Sequence, residues 1–309
     1  VRRAPPLSVL CALPHNASVC LKNMLALRRL RTPLITAGGL VAVGALDRAL
    51  TPRLQKPLST AAAAASIGSV QVYQYEICPF CCKVKALLDI HRVPYATTEV
   101  NPLTKSEIKA WSGGYKKVPI ALIAGEQVND SPVICTQILD RLAASGQIDK
   151  KLLDEFRSPS ALEWAKWSDE KLAVLAFPNI TRTFGEAYEA FGYVWGVPHF
   201  SQLDKAANQA IGSFFMWMAQ GKIKKKYGID DEREAFVSGV NKWMSEAVGT
   251  TPFAGGERPN LADVAVFGLL KAIDRTAAHS DIMAATSVAP WYERMLEAVE
   301  PGNALQSRQ

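Results

Sequence analysis

Four residues, Cys78-Pro79-Phe80-Cys81, hold the pair of side chains in this chain best suited to covalent chemistry. Two thiols two residues apart can attack an electrophile, exchange with a disulfide, or close a disulfide between themselves. The flanking residues decide which thiol leads. Val70-Gln71-Val72-Tyr73-Gln74-Tyr75-Glu76-Ile77 is a β-branched and aromatic run, and Lys83-Val84-Lys85-Ala86-Leu87-Leu88-Asp89 reads as a helix. Cys78 therefore stands at a helix N-terminus. Unpaired N–H groups and the positive end of the helix dipole favour a thiolate there, lowering its pKa below the ~8.5 of a free cysteine. Cys78 is the candidate nucleophile and Cys81, one turn on, the candidate resolving thiol. Pro79 suits the first turn because it has no N–H to leave unpaired.

The elements that position this pair follow from the hydrophobic period. Strands are predicted over 70–77, 95–100 and 118–124, with a short one over 127–129, and helices over 80–91, 105–111 and 131–144. Asn101-Pro102 breaks the second strand from the helix after it, and Gly125-Glu126 is the expected hairpin turn. The order βαβαββα predicts one mixed sheet with helices on both sides, a thioredoxin-like domain over 67–146. A polar connection over 147–159 follows, after which strand signals vanish. Amphipathic runs over 160–176, 179–191, 201–220, 231–248, 260–275 and 290–299 predict an all-α bundle filling 147–309. Its expected stops and starts include Phe177-Pro178, Gly196-Val197-Pro198, Thr251-Pro252 and Gly255-Gly256. Asn260-Leu261-Ala262-Asp263 reads as a capping box. Six tryptophans, Trp164, Trp167, Trp195, Trp217, Trp243 and Trp291, fall in this half, where core packing is their expected use.

Charge divides the chain again. Residues 1–66 carry nine Lys or Arg against one acid, Asp47, leaving twenty-six bases and twenty-eight acids for the remainder. The folded part is thus nearly neutral, so the net +6 is no argument for a nucleic-acid partner. The six cysteines show no spaced framework of the kind small secreted domains use, which points to a reducing compartment. An Arg-, Ser- and Ala-rich start with Leu25-Ala26-Leu27-Arg28-Arg29-Leu30-Arg31 resembles an organelle transit peptide, mitochondrial before plastid. The apolar run 34–46 is short of the ~20 residues a spanning helix needs. It fits a cleaved targeting element, a membrane-surface anchor, or a helix that packs on a partner. The alanines over 61–65 read as a linker.

Two further motifs accompany the cysteines. Lys117-Val118-Pro119-Ile120 places a proline at the front of a predicted strand, which a central position would not tolerate in the ordinary way and which a cis Val118–Pro119 bond would accommodate. Asp130-Ser131-Pro132 is a turn into a helix. Asp130 or Ser131 could cap that helix, or its free N–H groups and the Ser131 hydroxyl could bind a carboxylate. Cys82, turned ~100° from Cys81 on a helix, and Cys135 are expected to be packed thiols.

Cys78-Pro79-Phe80-Cys81, Val118-Pro119 and Asp130-Ser131 ahead of a helical half resemble a glutaredoxin-type domain joined to a glutathione-transferase C-terminal domain. With Val100-Asn101-Pro102, Tyr115-Lys116-Lys117-Val118-Pro119-Ile120 and Gly255-Gly256-Glu257-Arg258-Pro259-Asn260, the chain is similar to the membrane-associated prostaglandin E synthase 2 family over about 69–299. The resemblance implies glutathione binding, with Val118, turned toward the ligand by the cis-proline loop at Pro119, pairing with its cysteinyl backbone, Ser131 taking the γ-glutamyl carboxylate and Asp130 the ammonium. It implies isomerisation of prostaglandin H2 to prostaglandin E2 or of a related lipid endoperoxide, with Cys78 as the essential thiol and Tyr73 as the tyrosine beside it. A lipophilic substrate would lie in the cleft between the domains. Some members also bind haem, for which Lys222-Ile223-Lys224-Lys225-Lys226-Tyr227, expected in a loop, and the four histidines His15, His91, His199 and His279 are what this sequence offers. No metal site is expected. Two rival readings stand beside the isomerase: a glutathione-dependent thiol oxidoreductase in which Cys81 matters, and a non-catalytic accessory subunit of a mitochondrial inner-membrane respiratory complex. The expected protein is mitochondrial and membrane-associated through 34–46, as a homodimer or as a subunit of such a complex.

Overall fold

The structure, a computed structural model, describes residues 67–300, so the expectations for 1–66 fall outside the described residues. Strand β1 (Val70–Gln74) buries Val70, Val72 and Gln74 by simple alternation. Helix α1 (Pro79–Ile90) returns the chain to β2 (Ala96–Glu99), which pairs with β1 in parallel, Val72 opposite Thr97. The short α2 (Ser106–Lys109) leads to β3 (Ile120–Ile123), antiparallel to β1, and β4 (Glu126–Asn129) then pairs antiparallel with β3. Strand order is β2-β1-β3-β4, and α3 (Ser131–Ala144) closes the domain. The hairpin turn is one residue earlier than predicted. Ala124 and Gly125 take positive φ, 53° and 86°, and Glu126 is already the first residue of β4.

The helical half comprises α4 (Lys150–Phe156), α5 (Pro159–Trp167), α6 (Ala173–Ile180), α7 (Phe184–Ala190), α8 (Gln202–Ala207), α9 (Ser213–Tyr227), α10 (Glu232–Lys242), α11 (Leu261–Ala272), α12 (Ala277–Ala285) and α13 (Ala289–Ala298). Several boundaries depart from the sequence pattern. π turns over Ser168–Leu172 and Asn208–Gly212 splice α5 to α6 and α8 to α9, and Pro178, expected to stop a helix, lies inside α6. Helix α4 arises in the supposed polar connection because the Asp149 carboxylate accepts the Leu152 N–H and only Leu153 and Phe156 need burial. The lysines expected in a loop form the last turns of α9, where cations meet the negative end of the helix dipole before Gly228 ends the helix at φ 64°.

The two halves share one core. Helix α11, buried along nearly its whole length, packs directly on α1. Gly268 makes this approach feasible, since a β-carbon there would collide with the Lys83 backbone. Trp243 and Trp291 are fully buried and meet at 5.8 Å between ring centres, with Trp164 and Trp167 continuing the stack. Trp195 and Trp217 depart from the packing expectation and are exposed. The Trp195 indole donates to Gln209, and Trp217 sits among the exposed rings of Phe184 and Phe214.

Candidate active site

Cys78 is the N-cap of α1, in extended conformation, with no side-chain capping bond at this helix start. Its own N–H donates to the Tyr75 carbonyl, and its carbonyl accepts from Cys81 and Cys82. The Cys81 thiol, hydrogen-bonded to it, holds the Cys78 thiol below the ordinary cysteine range. The Cys81 and Phe80 N–H groups and the Lys85 ammonium add to this, against the opposing effect of burial. Cys81 is fully buried and its thiol is pushed well up, by burial first and then by the hydrogen bond it makes to Cys78. The pair is therefore asymmetric, with ionisation favoured at Cys78 and disfavoured at Cys81. Cys82 and Cys135 are packed, with Cys82 Sγ donating to the Glu76 carbonyl at 3.3 Å, and burial pushes both thiols up to about 11.

A cavity of about 900 Å³ opens over Cys78 at the junction of the two halves. The sheet domain contributes Tyr75, Val118, Pro119, Asp130 and Ser131, and the helical half contributes Leu162, Ala165, Asp169 and Leu261. The Val118–Pro119 peptide is cis. Asp130 occupies the N-cap position of α3 at φ 68°, yet its side chain makes no capping bond and instead accepts the Tyr115 hydroxyl at 2.7 Å. Burial first, and then this bond, push the Tyr115 phenol up to about 12. Of the two readings of Asp130-Ser131, capping by Asp130 is thus the one the geometry sets aside. The first-turn N–H groups of a 14-residue helix remain without a side-chain acceptor, beside a buried Ser131.

The structure brings Cys78, Val118, Pro119, Asp130 and Ser131 to one cavity and leaves Tyr73 outside its lining. Tyr73 lies earlier on β1, its ring against Trp111 at 4.7 Å, in the small cluster of Val100, Ile108 and Ile120. Of Tyr73 and Tyr75, the one that reaches the cavity is Tyr75, two residues on. Tyr75 follows the last residue of β1 and so stands ~7 Å further along the chain toward Cys78. That spacing was the available signal for preferring it. Sequence reasoning also missed Lys83 and Asp169, an ion pair of 2.5 Å on the cavity wall that joins α1 to the π turn after α5, and Lys105.

The donor set suits glutathione: a helix start without a side-chain acceptor beside the Ser131 hydroxyl for a carboxylate, the Val118 backbone before a cis proline, and a thiol of lowered pKa within the same cavity. Haem finds no such match. No residue of 222–227 and no histidine lines this cavity. Among the described residues, no group of side chains is arranged to hold a metal ion, and no helix is long and apolar enough to cross a membrane.

The fold and site define a class: a glutaredoxin domain whose Cys78 opens into a cavity shared with an all-α helical domain. The glutaredoxin family model matches residues 70–128. Prostaglandin E synthase 2 of Mus musculus is 32% identical over 271 residues, covering 74% of this chain and 70% of that protein. The Danio rerio protein of the same name is also 32% identical, with 71% of its length covered. Glutaredoxin 1 of Rickettsia conorii is 34% identical over 99 residues, 31% of this chain and 92% of its own. The chain belongs to the prostaglandin E synthase 2 family.

Proposed function

We propose that this protein is a glutathione-dependent thiol enzyme that isomerises a lipid endoperoxide, as in the conversion of prostaglandin H2 to prostaglandin E2. The observation that carries the reading is the Cys78 thiol, held low and opening into a cavity walled by both halves. The Cys78 thiolate attacks one endoperoxide oxygen; an S–O bond forms, the O–O bond breaks, and its electron pair leaves on the second oxygen, which takes a proton. The carbon bearing the sulfur-linked oxygen then loses its proton. Its C–H electrons form the carbonyl, the S–O bond breaks, and the thiolate returns. One proton is gained and one lost, with no net oxidation, so no resolving thiol is required. Val118, Asp130 and Ser131 would hold glutathione, which supplies a second thiol when bound.

The test is conversion of a lipid endoperoxide by the full chain with glutathione, followed by product mass spectrometry. Cys78→Ser should abolish ketone formation, and Cys81→Ser should leave it largely intact without accumulation of glutathione disulfide. Conversion unaffected by Cys78→Ser would overturn the proposal. The Cys81 thiol bonded to Cys78 favours a second reading, glutathione-dependent disulfide exchange, which Cys81→Ser would abolish instead. We further propose a mitochondrial, membrane-attached protein, with 1–66 as the targeting region and 34–46 as the attachment. Recovery of the tagged full chain in a soluble, non-mitochondrial fraction would refute that placement.

A further inference from the structure

We propose that Lys105 is a positioning residue that turns the Tyr75 hydroxyl into the proton donor of the Cys78 cavity, serving a substrate oxygen on which negative charge develops. This deepens the proposed isomerase and rests on it for the identity of that oxygen. Lys105 and Tyr75 both line the cavity. The Lys105 ammonium donates to the Tyr75 hydroxyl oxygen and also lies over the ring, 4.7 Å from its centre. A phenol oxygen that accepts from an ammonium must direct its own O–H elsewhere. Among the described residues no acceptor takes that proton, which leaves a ligand in the cavity to receive it.

Two features separate this contact from an incidental surface lysine. Lys105 holds φ 56° and ψ 26°, the left-handed region that a side chain with a β-carbon enters at a cost of roughly 1 kcal/mol. Such outliers persist where surroundings over-determine them, and they gather at sites of function. Lys105 also forms no ion pair with a carboxylate among the described residues, although it is half-buried and burial draws its ammonium down, with Glu107 acting the other way. A desolvated cation spent on a neutral phenol favours the phenolate and so strengthens the phenol as an acid.

In the reaction proposed above, the oxygen expelled when the O–O bond breaks takes its proton from Tyr75. The Tyr75 phenolate left behind is stabilised by Lys105 until the proton lost from carbon in the second step restores it. The other ionisable groups that line this cavity include Cys78 on α1, Tyr115, Lys116 and Lys117 before β3, Asp130 before α3, and Lys166 and Glu170 from the helical half, with Glu107 acting on Lys105. The Lys83–Asp169 pair completes the wall.

The experiment is ultraviolet titration of phenolate absorbance in the full chain, with the Tyr75→Phe curve subtracted so that Tyr75 alone is read. Lys105→Gln should move the Tyr75 transition up by about one pH unit or more, and Lys105→Arg should restore it. Turnover of the endoperoxide should fall in kcat about tenfold in Lys105→Gln with KM little changed. An unmoved Tyr75 transition in folded Lys105→Gln, judged by circular dichroism, overturns the proposal. If that variant does not fold, Lys105→Met keeps the apolar stem and is read by the same criterion. A shifted transition in a chain that never converts endoperoxide keeps the Lys105–Tyr75 pair and rejects the isomerase.

Discussion

In the helical half, Thr183, Ser201 and Asn260 each close a capping box, and Asp149, Ser158, Asp231 and Thr276 cap their helices singly. In the sheet domain, Cys78, Lys105 and Asp130 stand at the starts of α1, α2 and α3, and none of their side chains caps the helix behind it. The difference is not one of residue supply, because Asp130 has the chemistry to cap and instead accepts Tyr115. Most helix starts of the helical half are satisfied by a side chain, the start of α13 at Val288 being an exception. At Cys78 and Asp130, which line the cavity, no side chain caps the helix, whereas Asn260 caps α11 although Leu261 lines the same cavity. The most demanding cap shows the contrast best. The buried Asp263 carboxylate accepts the Ala254, Gly255 and Asn260 N–H groups and the Trp291 indole, which ties the loop before α11 to α13.

This contrast can be tested in order of expected effect. Cys78→Ser should remove turnover altogether while leaving the thermal midpoint nearly unchanged, since no capping bond is lost; a large fall in midpoint would put Cys78 among the folding residues. Asp263→Ala should do the reverse. It strands four donors, two of them in fully buried bonds, at a cost on the order of 3 kcal/mol, read by urea unfolding, with glutathione affinity in the surviving folded fraction preserved. Ser131→Ala should weaken glutathione binding about tenfold by calorimetry, equivalent to ~1.4 kcal/mol, without a comparable loss of stability. Thr183→Ala, at an ordinary capping box, should cost about 1 kcal/mol of stability and nothing in affinity. The smallest effect concerns the thiol pair. Alkylation of Cys78 by iodoacetamide should reach its plateau at lower pH in the native chain than in Cys81→Ala, because the variant loses the hydrogen bond that chiefly favours the thiolate. Coincident profiles would show that the helix start alone sets the thiol.

One buried group adds a pH dependence away from the cavity. Burial pushes the Glu99 carboxyl up to about 7 from the ordinary 4.5, opposed by the Glu76 N–H and Gln74 that it accepts from. Between these values the folded chain binds the proton and the unfolded chain does not, so stability falls as pH rises through this window. In Glu99→Gln that fall should be absent, which chemical unfolding at pH 5 and pH 8 would show.

The sheet domain was largely legible because its strands and helices alternate in period, and Val70 to Gln74 reads as a strand without help from tertiary contacts. The helical half yielded its composition but not its joints. A π turn keeps the amphipathic pattern running while shifting its phase, so α5 and α6 read as one helix, and Pro178 near the end of α6 read as a stop. At the cavity, Cys78, Val118, Pro119, Asp130 and Ser131 could be found because each sits in a local motif. Lys105, Lys83 and Asp169 could not, since what brings them there is the approach of distant segments, Lys83 and Asp169 lying 86 residues apart. Tyr73 and Tyr75 are the same residue type two positions apart, so only the distance along the chain to Cys78 separates them.

Gly268 has a consequence for modularity. With α11 seated on the α1 backbone, the face of the cysteine-bearing helix that a free-standing glutaredoxin could show to water is here interior, down to the Lys83 side chain. The cysteine domain and the helical domain are thus not a cassette and an appendage that could be separated, exchanged or fused anew at the linker over 145–149. A chain cut there would uncover Lys83, which Gly268 and Asp169 of the helical half now cover, so exchange between relatives should succeed only where the glycine and the helix it faces are inherited together.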